Sequence, residues 1–427
     1  MGLELPLLSA VVARLPLPEI NLAAFGGIVY PLALIIEAPI IMLLAASTAL
    51  SKDWASYQKL RRFMLISGGV LTLLHILLAF TPLYYWVVND LLGVPPEIVE
   101  PGRIGLMIMT PWTWAIAYRR FNQGVMIRFG HSDAVGIGTV VRLLADVSVL
   151  TVGFYSGRLA GIVVASCAIV AGVISEAIYT RWRVQPILRE DLQPAAPVEF
   201  LTWSAFYRFY IPLALTSLLL LIWQPIGSAA LSRMPKALES LAVWPVVSGL
   251  IFMLRSMGMA YNEVVVALLD EPRSYYSLKR FTIGLAITAT LLHLVIAVTP
   301  LSELWFGVIS ALPLDLAAMA SAGFLLALPV GALNVLQSWF QGALVQGRHT
   351  RGIPESVVVF LVTILAVFSA GIAWGQLTGL YVVMFGFVLA GLAQTLWLWY
   401  RSQSALAAAR WRDGQYASSP AEVVATD

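Results

Sequence analysis

Apolar positions run through this chain in long blocks rather than in alternation. Stretches of roughly 20 or more residues, each long enough to cross a ~30 Å hydrocarbon core as a helix, recur about twelve times. They fall near residues 1–14, 20–50, 61–88, 103–127, 134–156, 159–181, 205–231, 239–269, 279–301, 314–345, 354–374 and 377–400. A transmembrane β-barrel would show short period-two segments, and this pattern excludes it. The predicted fold is all-α: a polytopic membrane protein of about 12 transmembrane helices.

The blocks repeat. Residues 72–83 read TLLHILLAFTPL and residues 290–301 read TLLHLVIAVTPL, 218 residues apart, with 8 of the 12 positions identical. The offset recurs downstream, where Phe121-Asn122-Gln123-Gly124 aligns with Trp339-Phe340-Gln341-Gly342, Pro111 with Pro329 and His131 with His349. Near the start, Pro6 and Ser9 fall opposite Pro225 and Ser228, at 219. A long duplication in an apolar chain marks transporters, whose two halves rock about a site between them. The expected organisation is a six-helix lobe over 1–182, a linker over 183–204, a second lobe over 205–400 and a disordered tail over 401–427.

Charge adds orientation. Apolar residues make up 59% of the chain and charged ones 11%, against about one quarter in a soluble domain. Basic residues collect after the even-numbered spans and in the linker and tail, at Lys52, Lys59, Arg61, Arg62, Arg128, Arg181, Arg183, Arg273, Lys279, Arg280, Arg348 and Arg401 among others. The opposite side has Arg14, Arg103, Arg158, Arg233 and Lys236. By the positive-inside rule both termini are cytoplasmic, in a bacterial-type inner (plasma) membrane. An even number of spans per half makes the repeats parallel. This asymmetry also accounts for the net charge of +3 without nucleic-acid binding. The single cysteine, Cys167, excludes an intrachain disulfide. The first apolar stretch lacks the basic flank and small-residue cleavage site of a signal peptide. Pro6 has five residues before it where its partner Pro225 has about twenty in the seventh span, so the first helix is about half length, and the expectation is either a native start upstream of Met1 or a short helix buried by its neighbours.

Charges inside the blocks carry the candidate chemistry, since each costs from ~2.5 to more than 10 kcal/mol in the bilayer core and asks for a partner or a wet cavity. Glu37 lies mid-way along the second span between Pro31 and Pro39. Arg255 lies in the eighth, followed by Asn262 and Glu263, and Asn262 shares its helix stripe. At the repeat offset Glu37 aligns with Arg255, so opposite charges on equivalent helices can meet as a gate that breaks when an anion takes Arg255 or a proton takes Glu37. Alternatively, each pairs within its own half or snorkels. Arg142 and Asp146, four residues apart, read as a local ion pair, or Arg142 as an anion contact on a cavity wall. Glu4 is a further cavity carboxylate candidate, and Glu176 reads as interfacial, one turn from Arg181. His75 and His293 match across the repeat and read as hydrogen-bond donors to neighbouring helices, with a proton relay as the alternative. Asn334 and Gln337, beyond Pro329, offer amides to a solute or accompany a helix bend. No metal cluster and no cofactor is expected, and nucleotide-hydrolysing and hydrolase motifs are missing, so the chain reads as no enzyme.

The paired six-helix halves, the FNQG and WFQG segments before basic loops, and PLALTSLLLLIWQPIGSAALSR opening the second half resemble the multidrug/oligosaccharidyl-lipid/polysaccharide (MOP) exporter superfamily, with its MATE-like fold. Within it the chain is most similar to the progressive ankylosis group, through Ser51-Lys52 to Tyr84-Tyr85, Pro212 to Arg233, and Asn262-Glu263 leading into Asp270-Glu271. The resemblance implies V-shaped lobes, alternating access and export of small organic or phosphate-type anions; coupling to H+ or Na+ and a monomeric state in the lipid bilayer are expected beside it. Glu263 and Arg233 would carry over from the group, while the short first helix departs from the family and leaves Glu4 outside it. The other readings are a multidrug exporter of organic cations, a flippase for a lipid-linked saccharide, and, in a different class, an integral membrane transferase.

Overall fold

The computed structural model describes residues 3–195, 201–347 and 351–418, and among these there are helices and no strand. His349 and parts of the linker and tail lie outside the described residues. Helix α1 (Glu4–Val12) is followed by α2 (Pro18–Leu50), α3 (Trp54–Phe80), α4 (Val99–Ile108 continuing as Thr110–Arg128), α5 (Ser132–Ser156) and α6 (Gly161–Leu192). The second half contains α7 (Trp203–Ser232), α8 (Ala237–Leu268), α9 (Ser274–Val298), α10 (Leu314–Gln346), α11 (Gly352–Trp374) and α12 (Gly379–Ser418). Ten of the twelve are long and apolar enough to cross a membrane. The exceptions are instructive: α1 has nine residues, and α4 is broken at Met109 and carries arginines at 103, 119, 120 and 128.

Two expected boundaries move. Where a disordered tail was expected from 401, α12 continues as helix to Ser418, held by Asp413, which accepts from the Tyr275 N–H at 2.8 Å, and by an Arg412–Asp270 ion pair. Helix α6 likewise runs through to Leu192, shortening the linker.

The duplication is written into the backbone. Left-handed residues recur at the repeat offset: Leu17 with Lys236 before α2 and α8, Gly93 with Ala311, and Gly157 with Gly375. Residues 83–92 and 301–309, following α3 and α9, form equivalent short segments that end in π-helical turns. The histidines do the same task in each half. His75 Nε2 lies 3.0 Å from the Leu106 carbonyl and His293 Nε2 lies 2.8 Å from the Phe324 carbonyl, both rings being fully buried. Each ties α3 or α9 to the stretch just before the break in α4 at Met109 or the corresponding break in α10 over 327–329, where helical carbonyls lose their partners. His75 adds Thr113 Oγ1 at 2.9 Å, while His293 stacks on Phe324.

The halves meet mainly along α2 and α8, with α1 and α7 beside them. Gly26 and Gly27 allow the crossing. A Cβ on Gly26 would lie 2.7 Å from the Pro245 ring, and one on Gly27 3.0 Å from Leu241. The first half of α7 leans across onto the other lobe, where Tyr210 donates to the Pro39 carbonyl at 2.6 Å and Phe63 packs edge-on against Phe206 and Tyr210.

Candidate functional site

Below the α2–α8 crossing the lobes part around a cavity of about 480 Å³. Its walls are mainly apolar, but four arginines (119, 120, 142 and 255) and two glutamates (4 and 37) face it. A larger groove of about 800 Å³, between α9, α10 and α12, holds none of the candidate residues.

The first half supplies most of the charge. Arg142 of α5 forks onto Glu4 of α1, with its Nη2 2.5 and 2.7 Å from the two carboxylate oxygens and its Nε at 3.1 Å. Arg119 of α4 donates to Glu176 of α6 at 2.6 Å, and Gln123 Nε2 donates to the same carboxylate at 2.8 Å. Arg142 Nη1 stands 4.0 Å from Glu176, joining the two pairs into one chain of alternating charge. Such a network tolerates burial because most of the lost hydration bonds are replaced, although the Arg119 Nε and Gln123 Oε1 are buried without partners.

Three readings change here. Asp146 does not pair with Arg142: the guanidinium turns to Glu4, and both Asp146 oxygens are buried without a hydrogen-bond partner. Asp146 fits only because position 172 is glycine, where a Cβ would sit 1.8 Å from Oδ1. Glu176 is not interfacial but fully buried, claimed by Arg119. Glu37 and Arg255 both line the cavity, but neither takes the other as partner. The charges nearest Glu37 are Arg120, Arg119 and Arg142, because α4 packs beside α2 within the first half. Its Oε2 and the Arg120 Nε are both buried and unpaired.

Arg255 stands apart. Among the described residues no charged group neighbours it, its Nε is buried without a partner, and its guanidinium lies over the Phe387 ring at 5.3 Å. The repeat explains this isolation. Opposite Arg119, Arg142 and Glu176 the second half has Gln337, Phe360 and Gln394, which line a side pocket of about 20 Å³ behind Arg255 together with Asn334. Gln337 is occupied by the Gly391 carbonyl and Thr395, each at 3.1 Å, while Asn334 Oδ1 is buried and unpaired. Asn262 and Glu263 reach neither space. They lie about 10 Å further along α8 than Arg255, where Asn262 donates to the Ser338 carbonyl at 3.2 Å and Glu263 is exposed.

Sequence reasoning passed over Arg119 and Arg120, which stand close to the basic end of α4. The signal was available: at the repeat offset they oppose the neutral Gln337 and Ser338, a charge asymmetry of the same kind that singled out Glu37 and Arg255. Replacing Glu176 by Gln is expected to lower stability by roughly 3–5 kcal/mol, since it leaves Arg119 buried and uncompensated. Thermal unfolding of the purified protein checks this, and an unchanged midpoint would show that the pair contributes nothing.

No family model and no curated protein matches the chain. Solved structures do. An inward-facing multidrug resistance MATE family transporter of the MOP superfamily aligns at 15% identity over 99% of this chain and 96% of its own, with TM-score 0.72. The lipid II flippase MurJ, in an inward closed conformation, aligns at 12% identity over 96% and 90%, also at 0.72. An outward-facing MATE family transporter aligns at 15% over 98% and 96%, at 0.56. At such identities the likeness is one of fold, and the fold of this chain is that of the MOP-superfamily transporters.

Proposed function

We propose that the chain is a secondary active exporter that moves a small organic or phosphate-type anion through the inter-lobe cavity by alternating access, coupled to H+ or Na+. The observation that carries this reading is Arg255, a cation in the cavity wall with no counter-charge of its own. A buried charge without a partner is costly, and a solute anion that supplies the partner recovers that cost. Arg120 offers a second contact across the cavity, shared with Glu37. The likeness to the ankylosis group, among which small anions are carried, points the same way. Coupling falls to Glu37, the cavity carboxylate held near three arginines and free at Oε2: a proton or sodium ion and the solute anion compete for the same positive field.

The closer likeness to inward-facing than to outward-facing relatives supports a cavity reached from the side of the basic loops. That side is the cytoplasm by the positive-inside rule, which places both termini there. A second reading keeps the same arginines and changes the solute to a lipid-linked anion. The apolar walls and the four arginines favour it, as does the likeness to a flippase. Equilibrium binding to the purified protein tests the class: pyrophosphate- or citrate-type anions are expected to bind and tetraalkylammonium-type cations are not. Binding of the cations alone would overturn the anion assignment.

A further inference from the structure

The end of the molecule opposite the basic loops is closed by a device that appears twice. Arg14, just beyond α1, donates through Nη1 to the Ile309 carbonyl at 2.8 Å and through Nη2 to the Val308 carbonyl at 2.5 Å. Arg233, just beyond α7, donates through Nη1 to the Leu92 carbonyl at 2.7 Å and through Nη2 to the Leu91 carbonyl at 2.8 Å. Each guanidinium also holds the carbonyl four residues back in its own helix, Ala10 at 2.6 Å and Ala229 at 2.8 Å. Arg14 and Arg233 are equivalent at the 219 offset, and their acceptors are the equivalent final turns of the two short segments. Each arginine therefore reaches from its own lobe to the other lobe's segment.

The acceptor is suited to a cation. The last carbonyls of a helical turn lack internal partners and form the negative end of its dipole. A left-handed residue, Gly93 or Ala311, follows each segment within two residues of its end, and the last carbonyls of each segment are the ones the arginines take. A Cβ on Gly93 would lie 3.3 Å from the Arg233 guanidinium carbon, so the guanidinium lies directly on this turn. Alanine rarely adopts positive φ, and strain of this kind persists where surrounding structure imposes it. Both arginines are solvent-exposed, so each bond can be exchanged for water at small cost. That is what a gate requires: bonds sufficient to bias closure and weak enough to release.

We propose that Arg14 and Arg233 are paired gate latches that hold the outer ends of the two lobes together and release, both at once, when the transporter opens outwards. This inference rests on the alternating-access reading, and its test reads accessibility rather than transport. Ser248 lines the cavity on α8 and takes a reporter cysteine, with Cys167 replaced by serine. In liposomes of known orientation, a membrane-impermeant maleimide is added from the outer side. The Arg14→Ala, Arg233→Ala pair is expected to label at residue 248 at least roughly tenfold faster than the parent, from the loss of the charge-assisted bonds between the lobes. Each single variant should fall between. Arg→Lys at both sites should restore part of the slow labelling, since a point charge replaces a fork. Should the alanine pair fail to give folded protein, the glutamine pair carries the same expectation. Unchanged labelling in a folded double variant would overturn the latches. Faster labelling without solute transport in either protein would keep the latches and remove the exporter.

Discussion

Neutralising the isolated cation is expected to abolish anion movement while leaving the protein folded. Arg255→Ala should weaken binding of an anionic solute ten- to a hundredfold, the worth of roughly 1.5–3 kcal/mol for a charge-assisted contact in a water-poor site. Arg255→Lys should recover part of the loss. Stability should not fall, because the arginine has no counter-charge that its loss would strand; removing an unpaired charge whose Nε is buried should raise the unfolding midpoint rather than lower it. This sign separates Arg255 from Arg119, whose loss strands Glu176. Tracer binding and thermal unfolding on the same preparations decide the matter. A variant that binds the anion as tightly as the parent would remove Arg255 from the site.

The second large effect belongs to Glu37. Glu37→Gln keeps the shape of the side chain and removes its capacity to carry a proton or hold a cation. Exchange of solute down its own gradient should persist, and accumulation driven by a pH or sodium gradient should vanish. The arginines around Glu37 sharpen this expectation. With its charge gone, Arg120 loses its nearest carboxylate and becomes a stronger anion contact, so solute affinity should rise while coupling is lost. Gradient-driven uptake equal to that of the parent would exclude Glu37 as the coupling residue.

Much of this architecture was legible in the chain because membrane helices are written in long apolar blocks, a signal that needs no knowledge of tertiary contacts. The repeat was legible for the same reason, and it passed intact into the structure, down to the left-handed turns and the two histidines. What was not legible were the partners. Spacing along one helix placed Arg142 beside Asp146, but the guanidinium chose Glu4, 138 residues away, where fork geometry was available. The alignment of Glu37 with Arg255 pairs equivalent positions in two lobes, and such positions need not face one another. Both line the cavity wall without pairing. Helix α4 was found as a span from its apolar flanks, and its paired arginines were passed over because depth in the bilayer cannot be judged without the neighbours. The latches escaped notice because their acceptors are backbone carbonyls, which leave no trace in side-chain composition.

The asymmetry between halves is the most consequential feature. One half binds its charges to one another, through Glu4, Arg142, Glu176 and Arg119, and so holds a rigid polar frame. The other replaces the equivalent residues by Gln337, Phe360 and Gln394 and leaves Arg255 with neutral amides and an aromatic face. On the proposed function, the first half is the one suited to coupling and the second the one suited to holding a solute.

Flux across a membrane tests this account most directly. Purified protein in liposomes, loaded with labelled pyrophosphate-type anion on one side, is expected to release it saturably, faster under an opposing proton or sodium gradient, and not in the Arg255→Ala variant. Release of organic cations instead, undiminished by Arg255→Ala, would contradict it.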